Sequence, residues 1–124
     1  MLKSFSRVAT AAALVAVPVA ACGGGSSSSG TVAGADVTVH ALDALKFDNT
    51  TYNAKAGDIT IGYVDDGSLT HTLLIKEKTG FKLQVASHND SKSAKVTLTA
   101  GTYTLFCDIP GHEAAGMKAT LNVS

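Results

Sequence analysis

Apolar and polar residues alternate along most of the chain beyond residue 36. Val37, Val39 and Ala41 form one such series, and Ile59, Ile61 and Tyr63 a second. Leu73 with Ile75, Val96 with Leu98, then Tyr103, Leu105 and Cys107, and finally Ala119, Leu121 and Val123 continue the rhythm. A period of two puts every second side chain on one face, the signature of a half-buried strand. The runs are short and are punctuated by Gly57-Asp58, Asp66-Gly67, Thr79-Gly80 and Ala100-Gly101. No long helical period competes. The pattern predicts an all-β fold, an antiparallel β-sandwich over residues 36–124, long enough for one core and too short for two. Phe81 to Lys92 reads either as a strand followed by a loop or as an irregular excursion between the sheets. His88 lies in that polar stretch, and His40 faces opposite to the apolar residues of its strand, so both are expected at the surface.

The first 35 residues do not share this rhythm. Lys3 and Arg7 precede an apolar run from Val8 to Ala21, broken only by Thr10 and Pro18. That is the layout of a secretory signal over residues 1–21. The run has 14 residues, whereas a membrane span needs about twenty. Gly23 to Gly34 contains only Gly, Ser, Thr, Val and Ala, too little apolar surface to offset its ordering entropy, and residues 22–35 are expected to be a flexible tether. The junction Val19-Ala20-Ala21-Cys22 resembles a bacterial lipobox, with Val19 where Leu is favoured. That resemblance implies that Cys22 becomes the first mature residue and carries diacylglycerol, anchoring the protein to a membrane outside the cytoplasm. It also accounts for the cysteines: an unmodified Cys22 has only Cys107 to pair with in the chain.

Charge excludes some partners. Ten basic residues balance ten acidic ones, and loss of Lys3 and Arg7 with the signal leaves a formal charge of minus two. No basic stripe or aromatic platform suggests nucleic acid. No Ser-His-Asp arrangement suggests hydrolysis, and the acidic pair Asp65-Asp66 reads as turn residues. The chain is not expected to be an enzyme.

The chemistry lies in the last inter-strand loop, within Tyr103 to Val123. Cys107, His112 and Met117 stand five residues apart there and offer a thiolate, an imidazole and a thioether. Singly, a Cys or a Met is usually core filler. Together with a second imidazole they form a soft set suited to copper cycling between two oxidation states, and His71, at the head of an alternating run, supplies that imidazole.

The fragment TAGTYTLFCDIPGHEAAGM, with His71 upstream, resembles the cupredoxins, the small blue-copper proteins that include plastocyanin, azurin and auracyanin. The resemblance implies a Greek-key sandwich holding one type 1 copper, with His71, Cys107 and His112 in a plane and Met117 as the long axial ligand. It implies a monomer exchanging single electrons with redox protein partners. Thr72 stands where many cupredoxins have Asn, and Asp108 where Ser or Thr is common. Two other classes compete. A copper-delivery lipoprotein would carry exposed Met or His runs, whereas this chain has only Met1 and Met117. A metal-free adhesion sandwich gives no reason for four soft donors.

Overall fold

The computed structural model describes residues 31–124. The expected signal (residues 1–21), Cys22 and most of the expected tether lie outside the described residues. Nine strands and one short helix follow in order. They are β1 (Val37–Leu42), β2 (Lys46–Phe47), β3 (Thr51–Ala54), β4 (Gly57–Asp65), β5 (His71–Ile75), β6 (Lys78–Val85), β7 (Ser91–Leu98), β8 (Gly101–Phe106), α1 (His112–Ala115) and β9 (Lys118–Val123).

The strands form two sheets, one in the order β2-β1-β4-β7 and the other β3-β9-β8-β5-β6. Their inner faces share one core. Val39, Ala41, Ile59, Ile61, Tyr63 and Leu98 come from the first sheet, and Leu73, Ile75, Leu83, Val85, Leu105 and Leu121 from the second. These are the inward positions of the two-residue rhythm, and burying each of the large ones is worth about 1.5–3 kcal/mol. Tyr63 joins the layers: its ring meets Phe47 edge-on, and its hydroxyl donates to the Thr72 carbonyl across the sandwich at 3.1 Å.

Three details differ from the sequence expectations. The sheets are not purely antiparallel, because β1 runs parallel to β4 and β3 runs parallel to β9. Side-chain alternation is the same for either direction, so the pattern cannot distinguish them. The turn expected at Thr79-Gly80 falls at Lys76-Glu77, and β6 continues through Gly80 to Val85. That resolves the ambiguous Phe81–Lys92 segment as a strand followed by a loop and then the start of β7. His40 is not on the surface. It is 2% exposed, its Nδ1 lies 2.9 Å from Asp66 Oδ1, and its backbone N–H donates to Asp48 Oδ1 at 3.0 Å. Loops fold over the outer face of β1 and cover it. His88 is exposed, as expected.

Order extends upstream of Asp36. Val32 is half-buried against β4, 2.6 Å from where a β-carbon on Gly62 would stand, and the Ala35 N–H donates to its carbonyl at 3.0 Å.

Candidate metal centre

Cys107 and Met117 sit just beyond the facing ends of β8 and β9, which pair antiparallel from Gly101↔Val123 to Phe106↔Lys118. The Cys107 N–H donates to the Met117 carbonyl at 3.1 Å and closes the neck of the loop. Inside it, Gly111 takes φ 85, a left-handed turn open to glycine at little cost, and α1 begins at His112. The Met117 N–H returns to the His112 carbonyl at 3.0 Å. An eleven-residue excursion is thereby drawn tight, with the backbones of its first, middle and last residues linked by these two hydrogen bonds.

His71 opens β5, whose inward positions continue with Leu73 and Ile75. It is fully buried, as are Cys107 and Met117, while His112 is half-buried at the rim. One donor atom each of His71, Cys107 and His112 lies within 4.8 Å of the others. His112 Nδ1 is 3.6 Å from Cys107 Sγ, and the two imidazole rings are 5.2 Å apart. Both ring nitrogens of His71 are buried without a hydrogen-bond partner among the described residues. Burial holds its pKa below the ordinary imidazole value, which keeps the ring neutral and able to donate a lone pair. An unpartnered buried imidazole facing a thiol and a second imidazole is what a soft metal would satisfy, so the residues fit a copper ion.

The strand register also fixes the surroundings. The Thr72 N–H points at Cys107 Sγ at 3.4 Å. The Thr72 hydroxyl donates to Asp108 Oδ1 at 2.6 Å and accepts from the Asp108 N–H at 3.0 Å. Lys82 Nζ meets Asp108 Oδ2 at 3.0 Å. The Thr72 hydroxyl, ahead of Lys82, holds the Asp108 carboxyl below its usual range. Asp108 is therefore matched by Lys82 and does not stand as a bare charge beside the sulfur. The two residues that depart from the resembled pattern, Thr72 and Asp108, are partners of each other.

A family model described as copper binding proteins, plastocyanin/azurin family, matches residues 33–124. The chain belongs to that family. Plastocyanin/azurin-type folds are also what it is similar to among solved structures. Reduced auracyanin from Roseiflexus castenholzii is 18% identical with a TM-score of 0.63, covering 71% of this chain and 95% of that one. An azurin (Az-iso2) from Methylomonas sp. strain J is 17% identical with a TM-score of 0.61, covering 74% and 99%. Auracyanin A from Chloroflexus aurantiacus is 18% identical with a TM-score of 0.58, covering 71% and 98%. No curated protein sequence matches the chain.

As a plastocyanin/azurin-type protein, the chain takes copper as its cofactor, and three of the donors foreseen from the sequence, His71, Cys107 and His112, are brought together in one place, with Met117 buried and joined to Cys107 through its backbone carbonyl. Two neighbours of the site were not foreseen. Asp65, read as a turn residue, does accept the Gly67 N–H at 2.9 Å, but it is fully buried and groups with Asp43 and His71. A signal for it existed, because Asp65 is two residues beyond Tyr63 and shares its inward face. Asp43 had none, being placed by the turn after β1.

Proposed function

We propose that this protein is a blue-copper electron carrier, passing single electrons between membrane-associated redox partners outside the cytoplasm, with His71, Cys107, His112 and Met117 holding the metal. The observation that carries this reading is the convergence of a buried thiol, a buried imidazole with both nitrogens unpartnered, and a rim imidazole within 4.8 Å. Copper bound there supplies a one-electron couple between its two oxidation states. The protein's part is to hold its donors in place. Cys107 and Met117 are tied at the loop neck, His71 is clamped in β5, and the core behind them is close-packed, so little reorganises when the charge changes. Enclosure of three of the four donors favours a resident ion over one handed to another protein.

His112, at the rim, is the natural route for electrons. Exposed Ala114 and Ala115 and half-buried Ile109 give it a small apolar surround, suited to a brief encounter with a redox partner. Anchoring through lipid on Cys22 would keep that encounter at a membrane surface.

Titration of the copper-depleted protein tests the site. The expected result is one copper per chain, with an intense thiolate-to-copper absorption band in the oxidised form. A stoichiometry of two, or a colourless copper(II) form, overturns the reading. Anchoring is tested separately by Cys22→Ser, which should release the protein from membranes or stall its processing. A native protein that is unmodified and fully soluble would leave ordinary secretion.

A further inference from the structure

β1 begins beside the middle of β4 and runs parallel to it, Val37 opposite Ile61, so both strands point toward the end of the sandwich that holds the metal donors. A chain entering β1 in a straight line would therefore arrive from the opposite end. It does not. The segment from Thr31 to Asp36 reverses direction in a tight turn: the Ala35 N–H donates to the Val32 carbonyl at 3.0 Å, Gly34 takes the left-handed φ 76, and the Val32 N–H reaches back to Thr38 Oγ1 at 3.4 Å. Asp36 pins the turn to β4, its N–H donating to the Thr60 carbonyl at 2.8 Å and its Oδ2 accepting the Thr60 N–H at 2.7 Å. The outer face of the sheet has a seat for this turn. Gly62 stands between Thr38 and Ser93 in the ladder, and a β-carbon on it would lie 2.6 Å from the Val32 β-carbon and 3.2 Å from that of Ala35. The missing side chain is what lets Val32 lie against the strand. Thr31 is thereby returned toward the metal end, where it lines one hollow with Val64, Asp66, Asn89 and Ser91. Val64 and Asp66 flank Asp65, one of whose carboxylate oxygens lies within 4.8 Å of a His71 ring nitrogen.

We propose that this docked turn decides which end of the domain faces the bilayer: the chain leaves at the metal end, so a lipid on Cys22 holds His112 toward a redox partner embedded in the membrane. This rests on the anchoring reading above. Cys22 precedes Thr31 by nine residues, a span of at most about 30 Å. An exit at the opposite end, where the Ala56 N–H donates to the Ser124 carbonyl, would add the length of the sandwich, about 30 Å for the nine residues of β4. Tether and sandwich are of similar length, so the place of the exit settles whether the metal lies near the lipid or far from it. The partner this suits is an integral membrane protein whose electron-transfer site opens within about 30 Å of the bilayer surface. A short tether also keeps the two at high effective concentration, which offsets the weak affinity of a small redox interface.

The test uses the full-length, lipid-modified protein, 15N-labelled and with its copper reduced, on phosphatidylcholine nanodiscs that carry a gadolinium-chelating lipid. Paramagnetic broadening falls steeply with distance and so reports which amides lie near the bilayer. His112 and Ala114 should be broadened several-fold more than Gly57 and Ser124, which lie at the opposite end. Gly62→Val fills the seat, and Val32→Asp removes the side chain that occupies it while leaving β4 intact. Each should free the turn and move the exit to Asp36, beside the middle of β4, so that the several-fold difference falls to near equality while the other amide shifts are retained. Equal broadening at both ends of the native protein, or greater broadening at Gly57 and Ser124, overturns the proposal. So does a native difference that survives both variants. Should Gly62→Val fail to fold, Val32→Asp decides. A native protein that stays off the nanodiscs ends the anchoring reading and this inference with it, whereas bound protein broadened evenly removes the orientation alone. The readout is the same in copper-free protein, so it does not depend on the copper reading.

Discussion

Thr72 and Cys107, 35 positions apart in the chain, meet at the thiol: the Thr72 N–H lies 3.4 Å and its hydroxyl oxygen 3.3 Å from Sγ. The hydroxyl has one proton, and the 2.6 Å contact to Asp108 Oδ1 claims it. The donor aimed at sulfur is therefore the backbone N–H, which any residue but proline would supply. Thr72→Val should keep the blue band in the copper-loaded protein and lose about 1 kcal/mol of stability in urea unfolding, as Asp108 gives up its hydroxyl partner. A lost band would mean that the hydroxyl, and not the backbone, steadies the sulfur.

Replacing donors separates their roles. Cys107→Ser should abolish the blue colour in a protein whose far-ultraviolet circular dichroism still reports β-structure, because Ser fits the space and is a poor soft ligand. Met117→Leu should keep the colour and raise the potential in voltammetry by removing a weak donor that favours copper(II). An unmoved potential would make Met117, fully buried at the end of the loop, a packing residue only.

The Tyr63 hydroxyl, buried between the sheets, donates to the carbonyl of Thr72, the residue after His71. Burial, with Cys107 and Asp65 nearby, pushes its pKa far above the usual phenol value, so it stays a donor at every accessible pH. Tyr63→Phe should cost about 1–3 kcal/mol, since the carbonyl is left unsatisfied. A denaturant midpoint unchanged from native would show that the sheets are registered without this bond.

Glu77 ties the β5–β6 turn to β8, accepting the Thr104 N–H at 2.8 Å and the Thr104 hydroxyl at 3.1 Å. Those bonds, the backbone one first, hold its pKa below the ordinary glutamate value. A depressed folded-state pKa stabilises above the unfolded value of about 4.3 and is lost as pH falls through the folded one. Copper-free protein should therefore lose stability below about pH 4.3, and Glu77→Gln should lose less over the same interval. Parallel pH profiles of the unfolding midpoint for the two proteins would remove Glu77 from the acid response. The contribution is small, because the carboxyl is largely solvated.

Electron exit at His112 predicts that a charge at the exposed rim slows exchange without touching the site. Ala114→Glu should leave spectrum and potential nearly unchanged while slowing exchange with the natural partner, in a salt-dependent manner. Unaltered kinetics across a salt series would redirect attention to Phe106, half-buried beneath Lys76, whose Nζ is 5.2 Å from the ring centroid.

The sequence by itself determined the class of fold and named the donors proposed for the metal. Period-two burial is a local property, visible in β4 or β9 without knowledge of their neighbours, and soft donors at spacings of five are chemistry that composition announces. Strand direction is not local. The parallel pairings of β1 with β4 and β3 with β9 leave the alternation unchanged, so only the assembled sheets revealed them. The fates of polar side chains were likewise decided by tertiary structure. His40 sits on the polar face of its strand, yet the loops bearing Asp48 and Asp66 bury it, because alternation says which face a residue is on and not what covers that face. Asp65 carried a legible inward position, but its neighbour His71 comes from another strand of the other sheet. Asp43 reaches the same place from the turn after β1. The sequence named the groups able to hold copper, and only the packing of two sheets chose which carboxylates stand behind them.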